Sequence, residues 1–112
     1  MEEIKKIEPL NLKAIQQRDF NADEIVQTFK RNMVVWNWWA HDFVKDKDEF
    51  GDTLLMFKVN WAKFKGSVCI TLNYNDSFHI YFVDKRCMLK WEEPEVYVET
   101  LLNTIDKFVE TN

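Results

Sequence analysis

The sequence predicts an α+β fold with two layers: an antiparallel meander of four to five strands, with an N-terminal and a C-terminal helix packed on one sheet face. Three observations lead to this prediction. Apolar and polar residues alternate in four blocks from residue 34 to 83, and period-two alternation is typical of half-buried strands. The connections between the blocks are short, which favours antiparallel pairing. Apolar residues at helical spacing flank the alternating region on both sides.

The N-terminal helix is predicted from its capping signal. Asn21 has the character of an N-cap, and Glu24 three positions later completes a capping-box pattern. Apolar residues at helical spacing then predict a helix over residues 22–33. Before it, we expect a short helix over about 10–18, within a first segment of 1–20 that is otherwise loosely ordered.

The four alternating blocks predict strands over residues 34–45, 55–61, 68–74 and 78–83. Asn75 and Asp76 are expected to form a two-residue hairpin turn, and Tyr74 is expected to point inward. Residues 85–91 either extend the fourth strand or form a fifth strand at the sheet edge. Pro94 is expected at the start of the C-terminal helix, where its missing N–H costs nothing.

The composition indicates one soluble domain over residues 1–112. The chain is 46% hydrophobic and 30% charged, and its net charge of −4 disfavours nucleic acid as a partner. Six acids and one lysine follow residue 91, so a weakly basic sheet beside an acidic terminal helix is compatible with the sequence. The two cysteines lack metal-binding spacing. Without an apolar leader or a membrane-spanning run, we expect a cytoplasmic protein with no membrane contact.

One stretch resembles a known family. The residues that carry the resemblance are Asp42-Phe43, Leu55-Met56-Phe57-Lys58, Val68 to Asn73, Asp76, Phe78 and Phe82. With this pattern, the region 36–82 resembles a family of small uncharacterised proteins found in phages and mobile elements. The sequence departs from that family at its tryptophan-rich segment 36–39. The family has no established activity, so the resemblance implies an origin, and an accessory role by analogy only.

The candidate binding surface is the sheet face that points away from the predicted helices. Tryptophans lie on both sides of the first strand, and a single helical layer cannot bury both sets. Trp36 and Trp38 suit the core, which leaves an apolar patch typical of an interface. The residues assigned to this surface are Val35, Trp39, His41, Phe43, Lys58, Asn60, Thr71, Asn73, His79 and Tyr81.

Three occupants of this face remain open on the sequence alone. Residues 1–20 fold back over it, or it binds a protein partner or a second copy of the chain, or it stacks the bases of a single-stranded nucleic acid. Serine-nucleophile and phosphate-loop motifs are absent from the sequence. His41 and His79 lack a third ligand that the spacing selects, so no metal or cofactor is expected. The sequence thus favours a non-catalytic interaction protein, with nucleic-acid binding as the alternative.

Overall fold

A computed structural model describes residues 12, 15–31, 40–60 and 64–111 of the chain. The elements in chain order are helix α1 (Ala22–Lys30), strands β1 (His41–Lys47), β2 (Asp52–Asn60), β3 (Lys65–Leu72), β4 (Phe78–Asp84) and β5 (Leu89–Val96), a 3₁₀ turn (Val98–Thr100) and helix α2 (Leu101–Thr111). The five strands form one antiparallel sheet in sequence order. The α+β class and the antiparallel sheet are therefore confirmed, with the fifth strand present. Neither described helix is long and apolar enough to cross a membrane.

Helix α1 starts where the capping signal places it. The backbone N–H of Glu24 donates to Oδ1 of Asn21 at 3.0 Å, which satisfies one of the free donors of the first turn. The helix ends at Lys30, three residues before the predicted end. Residues 32–39 lie outside the described part of the chain, and so do the predicted assignments of Trp36 and Trp38.

The sheet has two faces that alternate along each strand. We call inner face the side chains that join the larger core cluster: Leu55, Phe57, Val59, Val68, Ile70, Leu72, Phe78, Ile80, Phe82 and Val96. The same cluster contains apolar side chains of α1 and of α2: Ala22, Ile25, Phe29, Leu101, Ile105 and Val109. We call outer face the opposite set: Leu54, Met56, Lys58, Asn60, Ser67, Cys69, Thr71, His79, Tyr81 and Val83.

Aromatic side chains fill much of the inner cluster. The rings of Phe29 and Phe57 meet edge to face at 5.7 Å, and Phe82 stacks on Phe108 at 4.0 Å. Burial of one such side chain contributes about 1.5–3 kcal/mol. The inner cluster is therefore the main source of stability, and the alternation of the sequence predicted its sheet residues.

The prediction that Pro94 starts the second helix is wrong, because Pro94 lies within β5. Phe78 pairs with Val96 and Ile80 pairs with Glu93, so β5 carries one extra residue in this interval. Such a bulge at a sheet edge accepts proline, because the missing N–H has no partner to lose there.

The turn between β3 and β4 also differs from the prediction. The N–H of Asn73 donates to the carbonyl of Ser77 at 2.8 Å, and that of Asp76 donates to the carbonyl of Asn73 at 3.1 Å. This is a three-residue loop closed by Asp76, whose φ of 67° lies in the left-handed region. Tyr74 was expected in the core. It lies in this loop and is 76% exposed.

Candidate functional site

The middle of the outer face is covered by the N-terminal segment. Leu12 and Ile15 pack against an apolar cluster on that face, formed by Leu54, Cys69, Tyr81 and Val83. The first of the occupants that the sequence left open, the N-terminal segment, therefore contacts this face through Leu12 and Ile15. The helix expected over 10–18 is not formed in its second half, since Gln16 and Gln17 have no helical backbone.

We call cover the part of the N-terminal segment that packs on the outer face through Leu12 and Ile15. Gln16 forms hydrogen bonds that attach this cover to the sheet edge. Its Nε2 donates to the carbonyl of Leu12 and to Oδ2 of Asp46, both at 3.0 Å. Its Oε1 accepts a hydrogen bond from the hydroxyl of Thr53, which is buried. A buried hydroxyl usually has such a partner. The side-chain amide of Gln16 therefore has one orientation, with Nε2 toward Asp46 and Oε1 toward Thr53.

Beyond Gln16 the segment passes around the end of the sheet. Arg18 forms an isolated bridge with Leu72, and the N–H of Phe20 donates to the carbonyl of Asp52 at 2.8 Å. Phe20 then packs on the inner side, where its ring meets that of Phe78 at 5.8 Å. One short stretch of chain therefore contacts both faces.

Burial by this cover changes the chemistry of the central outer face. Burial raises the pKa of the Cys69 thiol to about 12. The pKa of Tyr81 is also raised, first by burial and then by the carboxylate of Glu92. Thr71 is fully buried. The candidate residues Thr71 and Tyr81 are therefore not accessible to a partner.

The assignment of Phe43 to the outer face is wrong. His41 pairs with Lys58 and Val44 pairs with Met56, so β1 has one extra residue between them. Asp42 occupies this bulge with a φ of 53°. The extra residue reverses the alternation, and the ring of Phe43 stacks on an inner-face phenylalanine at 5.0 Å.

His79 and Asn73 have structural partners. His79 stacks on Tyr81 at 4.1 Å, and its Nε2 lies 3.1 Å from Oε2 of Glu92. The side-chain amide of Asn73 donates to the carbonyl of Pro94 at 2.8 Å. Both contacts attach β5 to the neighbouring strands. Two further members of the predicted surface, Val35 and Trp39, lie outside the described residues.

The remaining three candidate residues come together at one end of the outer face. His41, Lys58 and Asn60 line a pocket of about 490 Å³. We call it the basic pocket, because Lys65 and Lys85 also line it. The binding surface predicted from the sequence does not include these two lysines. They lie at a strand start and in a turn, far apart in the chain, and only the strand order brings them together.

A second pocket lies at the opposite end of the sheet and on the other face. We call it the α1–α2 groove. It has a volume of about 400 Å³ and runs between α1 and the start of α2. Its apolar lining consists of Phe20, Ile25, Phe29, Leu72, Phe78, Tyr97, Val98, Leu101 and Leu102. The sequence does not predict the groove, because it places Pro94 at a helix start. Tyr97 and Val98 would then lie inside that helix.

Large exposed apolar side chains are concentrated at this end of the molecule. Of the seven in the described part of the chain, four belong to it: Phe50 at 75%, Tyr74 at 76%, Tyr97 at 52% and Val98 at 62% exposure. Phe50 and Tyr74 lie in the two hairpin turns, and Tyr97 and Val98 line the groove. Concentrated apolar exposure of this kind marks binding surfaces.

The groove and the basic pocket carry opposite charge. Glu24, Asp76 and Glu99 line the groove, and its described lining contains no lysine or arginine. Lysines predominate in the basic pocket, where Asp84 is the one carboxylate among the described lining residues. The expectation of a weakly basic sheet beside an acidic terminal helix is not met, because Glu92, Glu93 and Glu95 lie in β5 of the sheet. Of the three groove acids, only Glu99 belongs to the acidic stretch after residue 91.

Metal ligands are not grouped within the described residues, where no set of three histidine, cysteine or acidic side chains could hold an ion. The two pockets offer charged side chains, hydrogen-bonding groups and apolar surface. Neither pocket can be interpreted through a relative, because no protein-family model, curated protein or solved structure matches this chain.

Proposed function

We propose that the protein is a small cytoplasmic, non-catalytic interaction protein that binds a basic amphipathic segment of a protein partner in the α1–α2 groove. The observation that carries this proposal is the coincidence of exposed apolar side chains with an acidic rim at one groove. An accessory role in a phage or mobile element, implied by the resemblance, would be compatible with such a module.

The packing of the groove supports an apolar occupant. Its deep residues, such as Phe29 and Leu101, are buried in the inner cluster and would hold their positions when a ligand binds. Tyr97 and Val98 are more than half exposed and stand at the margin. With both helices on the inner face, an amphipathic helix of the partner could place its apolar side between α1 and α2.

The charge of the rim supports a basic occupant. The carboxylates of Glu24 and Glu99 have no ion-pair partner among the described residues, whereas Asp76 is paired with Arg18. Lysine or arginine side chains beside the apolar stripe of a ligand would meet two available carboxylates. Charge complementarity of this kind selects partners and orients them.

The proposal is tested with two fluorescent amphipathic helical peptides, one of leucine and lysine and one of leucine and glutamate. We expect the lysine peptide to bind and the glutamate peptide not to bind. Tyr97→Ala should weaken binding by about fivefold or more, as expected for loss of an aromatic anchor. Glu99→Lys should weaken it as well, whereas Glu49→Lys, an equal charge change in the β1–β2 turn, should not.

Two results would overturn the proposal. One is equal binding of both peptides, or loss of binding in the Glu49→Lys control, because either would indicate non-specific attraction. The other is self-association of the chain in sedimentation that Tyr97→Ala abolishes, because a second copy would then occupy the groove. Circular dichroism of every variant distinguishes lost binding from lost folding.

A further inference from the structure

We propose that the basic pocket is a separate binding site for a nucleotide, either free or as one residue of a single-stranded nucleic acid. The pocket lies on the outer face, at the end of the sheet away from the α1–α2 groove. It is formed where β2 ends, β3 starts and β4 ends, beside the first residue of β1. The inference does not depend on the function proposed for the groove.

Lysine charge is the first argument for a phosphate ligand. Lys58, Lys65 and Lys85 all line the pocket, and all three are exposed. Within the described residues, Lys65 and Lys85 have no ion-pair partner, and Lys58 has only Asp42, at 3.6 Å and well exposed to solvent. Weak surface pairs of this kind are easily exchanged. Three ammonium groups at one pocket of a chain with net charge −4 would attract an anion.

Asp84, the one carboxylate in the described lining of the pocket, already accepts hydrogen bonds from the backbone. Oδ1 of Asp84 accepts hydrogen bonds from the N–H groups of Arg86 at 2.9 Å and Met88 at 3.0 Å. These bonds close the turn that carries Lys85, and Cys87 completes it with a φ of 64°. Asp84 therefore shapes the turn, and the lysines determine the sign of the charge that the pocket attracts.

The pocket is large enough for a nucleotide, and its lining is partly apolar. A volume of about 490 Å³ lies in the range of small-molecule sites and exceeds what a single phosphate fills. Leu12, Met56 and Val83 provide apolar surface for a base, while Asn60 and Ser67 provide hydrogen-bonding groups. A nucleotide combines these two kinds of chemistry in one ligand.

The inference is tested by NMR titration of the isotope-labelled protein with inorganic phosphate, adenosine monophosphate and a short oligothymidylate. Backbone amides around Gly66, Ser67 and Lys85 should shift with the nucleotide, and those of the α1–α2 groove should not. The double variant Lys65→Glu/Lys85→Glu should weaken binding by at least about tenfold. Lys47→Glu is the control for a charge reversal away from the pocket, since Lys47 is exposed and lies at the opposite end of the sheet.

Salt dependence distinguishes the two sources of the nucleotide. For a single strand that contacts three lysines, raising salt from about 50 to 200 mM should lower the affinity about 20-fold. Tighter binding of the oligothymidylate with this salt slope would assign the site to single strands, and equal or tighter binding of the monophosphate would assign it to free nucleotides. Equal affinity for inorganic phosphate, or unchanged binding by the double variant, would overturn the inference.

Discussion

The cover over the outer face gives a prediction with a direct chemical measurement, the reactivity of Cys69. This thiol is fully buried beneath the N-terminal segment. The change that tests the cover is Gln16→Ala, because the Gln16 side chain holds the segment to Thr53 and Asp46. We expect this variant to increase the rate at which Cys69 reacts with a thiol reagent.

The magnitude follows from two quantities. Burial raises the pKa of Cys69 from 9.0 to about 12, so below pH 9 the fraction of reactive thiolate is roughly a thousandfold lower than for an ordinary thiol. Loss of the Gln16 amide leaves the buried Thr53 hydroxyl without its partner, which costs about 1–3 kcal/mol. If that cost destabilises the closed state of the cover relative to its open state, Cys69 labelling accelerates by about 5- to 150-fold.

The assay is alkylation with iodoacetamide, followed at each cysteine by peptide mass spectrometry. The half-buried Cys87 serves as the internal reference. The matched control is Gln17→Ala, which removes the same amide from an exposed position with one hydrogen bond, to Asn73 at 3.3 Å. We expect that control to leave Cys69 protected. In the folded protein, labelling of Cys69 should keep rising above pH 9, because burial raises its pKa above that of an ordinary thiol.

Two outcomes would refute this reasoning. Comparable labelling of both cysteines in the unmodified protein would mean that Leu12 and Ile15 do not cover Cys69. Equal acceleration by the two glutamine variants would mean that the hydrogen bonds of Gln16 do not hold the cover. Urea unfolding of each variant separates local opening from a loss of global stability.

Three further predictions concern stability, each measured by urea denaturation. Gly66→Ala should destabilise the protein by about 1–3 kcal/mol or more, because the added Cβ would lie 2.1 Å from the carbonyl oxygen of Val83; no loss would contradict the β3–β4 register. Phe57→Ala should lower the free energy of unfolding by about 3–5 kcal/mol. Phe50 is exposed in a turn, so Phe50→Ala should change it by no more than about 0.5 kcal/mol; equal losses would contradict the assigned core. Asn21→Ala should cost about 0.5–2 kcal/mol through the lost N-cap, and an unchanged midpoint would contradict that cap.

Alternation in the sequence predicted most of the inner face, since the strands that contain Phe57, Ile70 and Phe82 each follow a period of two around these residues. The pattern does not reveal a bulge. Nothing in the residues around Asp42 marks the left-handed backbone that turns Phe43 to the other face. Pro94 is ambiguous for a similar reason, because proline suits both a helix start and an edge strand. Its assignment depends on pairing partners that the sequence does not specify.

The sites were harder to predict than the fold because they are assembled from strand ends. Lys58, Lys65 and Lys85 are separated by turns, and their convergence depends on the strand order and register. The sequence allows a cover over Tyr81 as one alternative, but the hydrogen bonds of Gln16 that hold the cover have no periodic signal. Local patterns predict local structure, whereas tertiary contacts between distant segments need the whole topology.

The positions of Leu12 and of residues 15–20 have a mechanical consequence. Leu12 borders the basic pocket and Phe20 lines the α1–α2 groove, so eight peptide units join the two sites around the end of the sheet. Fully extended, such a length spans at most about 29 Å. Tension applied ahead of Leu12 would load the hydrogen bonds of Gln16 first and reach the Asn21 cap of α1 last. The chain path thus sets the order in which a pulling force would detach the outer cover and then the first helix.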